Sequence, residues 1–244
     1  MKKIFLLLLV IPFVWACNNR DDEDLAIDYL VNFATVDNPN QETTFNFVLD
    51  DLTRLRTASS AIAYYRPKDG QRVILNYSIL SNKPDGAEYK HDIRINDVYE
   101  VLTKGIFSIS PATEDSIGND EIHIERIWVG NNYLNVEFAY PGYDKTHYIN
   151  LVSDNAKTYT DGKIHLEFRH NDNSDYPNYD KWGYVSFDLR SLKQAGKNSV
   201  DLVIHTNEFR TGKQTYTLTY DYATAGSEKV TLKAKDLSDK GIIQ

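Results

Sequence analysis

The sequence predicts an all-β protein, a small OB-like barrel followed by an antiparallel β-sandwich. Three observations carry that expectation. Apolar and polar residues alternate with period two over many short runs, each bounded by Gly, Asn, Asp or Pro. Only Ser191–Gly196 reads as a helical turn, closed by its glycine. A polar loop, Pro111–Asp120, divides the strands into two sets and is taken as the domain boundary.

The chain opens with Lys2 and Lys3 and an uncharged apolar run, Ile4–Ala16. That run is shorter than the roughly 20 residues a spanning helix needs and suits the core of a signal peptide. It ends at Val14-Trp15-Ala16-Cys17, which looks like a bacterial lipobox with an unusual Trp, and Cys17 is the only cysteine of the 244 residues. Residues 1–16 are therefore expected to be removed and Cys17 to be lipidated through a thioether, with an acyl chain such as palmitate on the freed amine. Several chains on one residue hold a membrane where a single chain binds only marginally. A plain secretory signal that happens to end in Cys is the competing reading.

Residues 17–26 then form a lipidated acidic tether. Asp21, Asp22, Glu23 and Asp24 are four consecutive acids with no apolar neighbour before Leu25, so the segment is solvated. The block resembles the export signal that carries lipoproteins to the outer leaflet, and the expected address is the outer membrane, facing the cell exterior. A plain acidic spacer is the alternative. Loss of Lys2 and Lys3 takes the net charge from −8 to −10. That balance disfavours nucleic acid as a partner.

Residues 27–112 hold the expected barrel. Thr43–Leu49 puts Phe45 and Phe47 on one face, and Thr53–Thr57 is a weaker strand. Val73, Leu75, Tyr77 and Ile79 share a face of Arg72–Leu80, which lies between the turns Pro67-Lys68-Asp69-Gly70 and Lys83-Pro84-Asp85-Gly86. His91–Thr103 alternates through Ile93 and Ile95.

Residues 120–236 hold the expected sandwich. Glu121–Val129 and Tyr133–Tyr140 flank the hairpin turn Gly130-Asn131-Asn132, with Leu134, Val136, Phe138 and Tyr140 on one face. Thr146–Val152, Lys163–His170, Gly183–Leu189, Val200–His205 and Gln214–Tyr222 follow, and Lys229–Ala234 closes the set.

Several segments together resemble one family. They are Arg66-Pro67-Lys68-Asp69-Gly70-Gln71-Arg72-Val73 running into Asn76-Tyr77, Leu102-Thr103-Lys104, Asn119-Asp120, Asn132-Tyr133-Leu134-Asn135-Val136, His147-Tyr148-Ile149-Asn150-Leu151, Leu166-Glu167-Phe168-Arg169-His170-Asn171 and Val185-Ser186-Phe187. In this order they are similar to the NigD-like lipoproteins. The resemblance implies an N-terminal OB-like domain, a C-terminal β-sandwich and a link to bacteriocin competition or immunity. It carries over no catalytic residue.

The residues themselves point to little catalytic chemistry. There is no nucleophile elbow, zinc-protease helix motif or phosphate loop, and no thiol after Cys17. His165 and His170 lie five apart on one strand and so on opposite faces, which is wrong for a shared metal. Asp172, Asp175 and Asp180 miss the calcium-loop spacing and lack its glycine. No metal, cofactor or catalytic residue is therefore expected. The loop Asn171–Lys181 with the adjoining Trp182 carries Tyr176, Tyr179 and Trp182, which either contact a ligand or cap the sandwich end. Three functions remain: a non-enzymatic surface lipoprotein that binds a protein partner, a glycan-binding lipoprotein of a nutrient-uptake system, and a cryptic hydrolase that has only its abundance of acids in support.

Overall fold

A computed structural model describes residues 29–222. Cys17, the acidic run 21–24 and the strand expected at 229–234 lie outside those residues. The first five strands are β1 (Leu30–Asp37), β2 (Asn46–Leu49), β3 (Arg54–Ser60), β4 (Arg72–Asn82) and β5 (His91–Glu100). They close a barrel in the order β1-β2-β3-β5-β4. Val73, Leu75 and Tyr77 turn inward on Phe45, Phe47, Leu55, Ile93 and Ile95, as the alternation requires.

β1 is the strand that periodicity does not announce. Its Ala34 and Val36 join the barrel core, while Val31 and Phe33 face the other way and are buried just as fully. Both faces are covered, so the sequence runs apolar on both sides and the alternation is lost.

After β5 the chain leaves the barrel within a few residues. β6 (Leu102–Lys104) pairs in parallel with β12 (Tyr179–Asp188), and β7 (Ile106–Ile109) pairs in parallel with β10 (Tyr148–Asp154). These two strands, which a boundary at 111–120 would leave with the barrel, are hydrogen-bonded into the second half. The polar loop itself forms a one-turn helix, α1 (Glu114–Ile117), lying on β11 (Ile164–Asn171).

The remaining strands are β8 (His123–Gly130), β9 (Tyr133–Gly142), β13 (Ser199–Glu208) and β14 (Gly212–Asp221). Two sheets result, β14-β13-β11-β10-β7 and β6-β12-β9-β8. The expected sandwich is present, but strand directions are mixed: β11 and β13 also run parallel. Leu134, Val136, Phe138, Leu166, Phe168, Val185 and Phe187 fill the space between the sheets. The turn expected at 191–196 is a short 3-10 turn, Arg190–Leu192.

The two domains share a buried joint. Phe33, Ile74 and Val101 from the barrel side pack on Trp128 and Tyr184 of the four-stranded sheet, with Phe33 and Trp128 edge to face at 5.1 Å. Beside them Arg72, only 1% exposed, pairs with Asp50 at 2.7 Å and donates to Asn135 at 3.0 Å. Its guanidinium also stacks over Tyr133, 4.3 Å from the ring centre. Asn135 returns a bond to Asp50 at 3.1 Å and accepts one from Ser186 at 2.7 Å. Gly130 is required here, because a Cβ would sit 2.3 Å from an Asp50 oxygen and 2.7 Å from its Cβ.

Candidate functional site: a cleft on the four-stranded sheet

The cleft follows from strand parity. In the β9–β12 register Ser186 opposes Asn135, Tyr184 opposes Glu137 and Trp182 opposes Ala139. Asn135, Glu137, Ala139 and Pro141 therefore share the outer face with Asp180, Trp182, Tyr184 and Ser186. The barrel joint involves Asn135, Ser186 and Tyr184, with Trp182 packed at its margin. Beyond Trp182 the same face opens into a cleft of about 640 Å³.

Ala139, Pro141 and Trp182 form part of its lining, and Phe209 and Arg210 project from the β13–β14 turn to form another. Glu208 pairs with Gly212 across that hairpin, leaving a three-residue loop, Phe209-Arg210-Thr211. Such loops require a left-handed residue. Here Gly212 has φ 70° and Arg210 has φ 71°, an arginine in a conformation that costs a non-glycine residue on the order of 1 kcal/mol. The Arg210 guanidinium lies 5.2 Å from the Phe209 ring centre, and Phe209 is 42% exposed. Strain at a hairpin tip that presents Phe and Arg marks the tip as a place to look for function.

Charged groups surround this lining. His123 stands between Glu125 at 3.8 Å and Glu208 at 3.6 Å. Glu208 is buried and accepts the Tyr216 hydroxyl, and burial together with that carboxylate pushes the Tyr216 phenol far above its ordinary value. Lys181 donates to the Tyr143 carbonyl at 2.6 Å. Aromatic rings beside a guanidinium are the groups that dominate protein-binding hot spots.

The three aromatics expected on one loop are separated. β12 begins at Tyr179, so Tyr179 and Trp182 lie three apart on a strand and face opposite ways. Trp182 lines the cleft and contacts Tyr184 edge-on at 6.3 Å. Tyr179, 59% exposed, stands beside Tyr143 at 6.1 Å, and Tyr176 is 71% exposed. The three aspartates separate as well. Asp175 is buried and accepts the amides of Tyr143, Asp144 and Tyr176, Asp172 accepts the Ser174 amide, and Asp180 lines the cleft. Among the described residues no three His, Cys, Asp or Glu side chains gather as a metal-ligand set.

The histidines of β11 do face opposite ways, and each meets a second histidine that periodicity leaves isolated. His170 opposes Ile149, which places His147 diagonally across, and their rings meet at 2.8 Å. The Glu121 carbonyl can only accept, so His170 donates from Nδ1 at 2.9 Å. His147 closes the chain on Asp175 at 3.1 Å. On the other face His165 opposes Val203, which places His205 diagonally, and these rings meet at 3.0 Å while Asp161 takes the far nitrogen. Burial, then the neighbouring imidazole, lowers the proton affinity of both His170 and His205. Finding these pairs requires knowing which strands are neighbours and in what register, information that single-strand periodicity lacks.

Two family models match the chain. A NigD-like N-terminal OB domain covers residues 33–101, and a NigD-like C-terminal beta sandwich domain covers residues 105–220. The gap between them coincides with the exit from the barrel. A protein of unknown function from Bacteroides vulgatus is similar in structure, with TM-score 0.74, 28% identity, and coverage of 86% of this chain and 98% of that one. A protein of Parabacteroides distasonis described as toxin-related gives TM-score 0.70 and 32% identity over 81% of this chain and 96% of that one. A protein of Bacteroides caccae called a NigD-like immunity protein shares the fold, with TM-score 0.61 and 19% identity over 78% of this chain and 96% of that one. No curated protein matches the chain.

Proposed function

Because this chain belongs to the NigD-like family of an OB domain joined to a β-sandwich, we propose that it is a non-enzymatic lipoprotein that holds a protein partner in the Trp182–Phe209 cleft. The observation that carries this reading is the strained hairpin tip. A fold gains nothing from an arginine at φ 71°, where glycine or asparagine sits at lower energy, whereas a partner gains an exposed guanidinium beside a fixed ring. The names of two similar proteins, one toxin-related and one an immunity protein, support a protein as the partner. The lipobox ending at Cys17 and the acidic run 21–24 support an address at the outer membrane, on the exterior side.

Cross-linking in intact cells tests the cleft. A partner is captured by the wild-type chain and lost from a Phe209→Ala, Arg210→Ala double variant, and identical capture by both defeats the assignment. Anchoring is tested separately with Cys17→Ser, which should leave the protein free of carbonate-washed membranes. Protease applied to intact cells should degrade the lipidated protein if it faces outward.

The glycan alternative, as built on Tyr176, Tyr179 and Trp182, is less favoured, because those rings do not form one platform.

A further inference from the structure

Four strands stand at the edges of the two sandwich sheets, and one of them is left open. β6 is three residues long and β7 four, too short to template a partner. β8 is broken by a register shift between Ile124 and Arg126. Short and bulged edges are the devices that keep sheets from pairing with other chains. β14 has neither. It runs ten residues in unbroken register with no proline, and it is rich in Thr and Tyr, which favour strands. Among the described residues no strand pairs with its outer side.

The ladder on the inner side fixes what this edge offers. The Tyr222 amide donates to the Asn198 carbonyl at 2.9 Å. Opposed pairs in an antiparallel ladder alternate between hydrogen-bonded and not, so Tyr220, Leu218, Tyr216 and Gln214 commit their amides and carbonyls to β13. Lys213, Thr215, Thr217, Thr219 and Asp221 turn theirs toward the free edge. Parity puts the side chains of these same residues on the outer face, where Lys213 and the three threonines are exposed. Tyr216 and Leu218 lie on the inner face, half-buried against the sandwich core.

This stripe is complementary to itself. Two copies laid antiparallel about a two-fold axis through Thr217 bring Lys213 opposite the partner's Asp221 and Thr215 opposite the partner's Thr219, at both ends of the interface. Each opposed pair is of the outward-facing kind, so each exchanges two backbone hydrogen bonds. Opposite charges and paired threonines directly across a ladder are stabilising. On the inner face Tyr216 meets the partner's Leu218, and the apolar surface each leaves open at the edge is covered. An in-register parallel copy would instead set Lys213 beside Lys213. The one Lys and one Asp of the stripe cancel on a chain of net charge −8, so two acidic copies meet here with little repulsion.

We propose that the free edge of β14 is the interface of a homodimer, in which two copies pair antiparallel about Thr217 and join their five-stranded sheets into one continuous sheet. The inference goes beyond the partner reading of the Trp182–Phe209 cleft and does not depend on it. Antiparallel pairing sends the two Phe209-Arg210 tips to opposite ends of the dimer and leaves both open.

Analytical ultracentrifugation of residues 17–244 carrying Cys17→Ser, over a range of concentrations, should show a dimer in exchange with monomer. Lys213→Asp places like charges opposite each other at both ends and should raise the dissociation constant about tenfold or more, with Tm of the monomer unchanged. Adding Asp221→Lys should restore the affinity. Thr217→Cys puts the one thiol of that chain on the axis. Opposed hydrogen-bonded residues have Cα atoms about 5.5 Å apart, within disulfide reach, so mild oxidation should link the copies. Thr215→Cys should not link, because its counterpart lies four residues along, more than about 13 Å away. A chain that stays monomeric at every concentration overturns the proposal. So does a dimer that ignores Lys213→Asp and that Thr217→Cys fails to link, since its interface is elsewhere. A monomer that dimerises only when residues 223–244 are removed also overturns it, with the chain's own tail as the occupant of the edge.

Discussion

One face of the four-stranded sheet is used in two ways. At the barrel end Trp128 and Tyr184 are buried against Phe33 and Ile74, and Asn135 accepts from both Arg72 and Ser186. At the other end Trp182, Ala139 and Pro141 carry similar apolar surface but open into solvent. Residue type does not distinguish the halves. What stands opposite does, and an aromatic on a sheet face is structural or available only according to whether another domain covers it.

Four measurements can break or sharpen that contrast, and the largest effect belongs to the covered half. Arg72→Ala removes one partner of a buried ion pair and leaves the Asp50 carboxylate without its cation, so denaturant unfolding should lose about 3–5 kcal/mol. A loss under about 1 kcal/mol would mean the joint is not what holds the barrel on. Gly130→Ala drives a methyl into the Asp50 side chain and should cost about 1–3 kcal/mol in the same measurement.

In the open half the balance reverses. Phe209→Ala should change stability by no more than about 0.5 kcal/mol, because it sits exposed at a hairpin tip outside both cores. It should weaken the bound partner by about 2 kcal/mol or more in a titration. If unfolding moves and affinity per folded molecule does not, the open half is structural after all.

The smallest effect comes from the histidine pairs. Burial favours the neutral forms of His170 and His205 in the folded state. Unfolding therefore takes up protons, and stability contributed by these groups is present above an unfolded value near 6.5 and declines as pH falls below it. A few degrees of Tm should be lost across that range. His170→Gln should flatten the decline more than His205→Gln, since His170 is the more deeply buried. The Asp175 carboxylate, held well below its usual range by its amide and His147 partners, adds its own decline only in stronger acid.

The legible parts of the sequence are those where one face of a strand meets the core and the other meets water. β9 shows this through Leu134, Val136 and Phe138, and most strands lie within a few residues of where alternation puts them. β1 failed because both its faces are buried. Alternation starts β12 only at Gly183, because Asp180 and Lys181 look like loop residues, although they line a cleft from within a strand. That one error put Trp182 and Tyr179 on the same loop. Phe209 and Arg210 carried no signal of their own: a short gap between two strands does not reveal a left-handed arginine. Residues 102–109 went to the wrong side of the boundary because a polar loop is a stronger local mark than the place where a strand changes partners.

Those eight residues also set how the molecule bears load. β6 joins one sheet and β7 joins the other, both in parallel with their neighbours. Under the proposed anchoring at Cys17 and partner binding on the sandwich, tension between the two would enter through the barrel and arrive at this segment. Parallel pairing sets the pull along the strands, so the hydrogen bonds of Leu102–Lys104 and Ile106–Ile109 are loaded in shear and must yield together instead of peeling one at a time. A segment that stitches the barrel into both sheets at once behaves as a rivet. A pull applied across the two domains should therefore part them only when both short strands give way together.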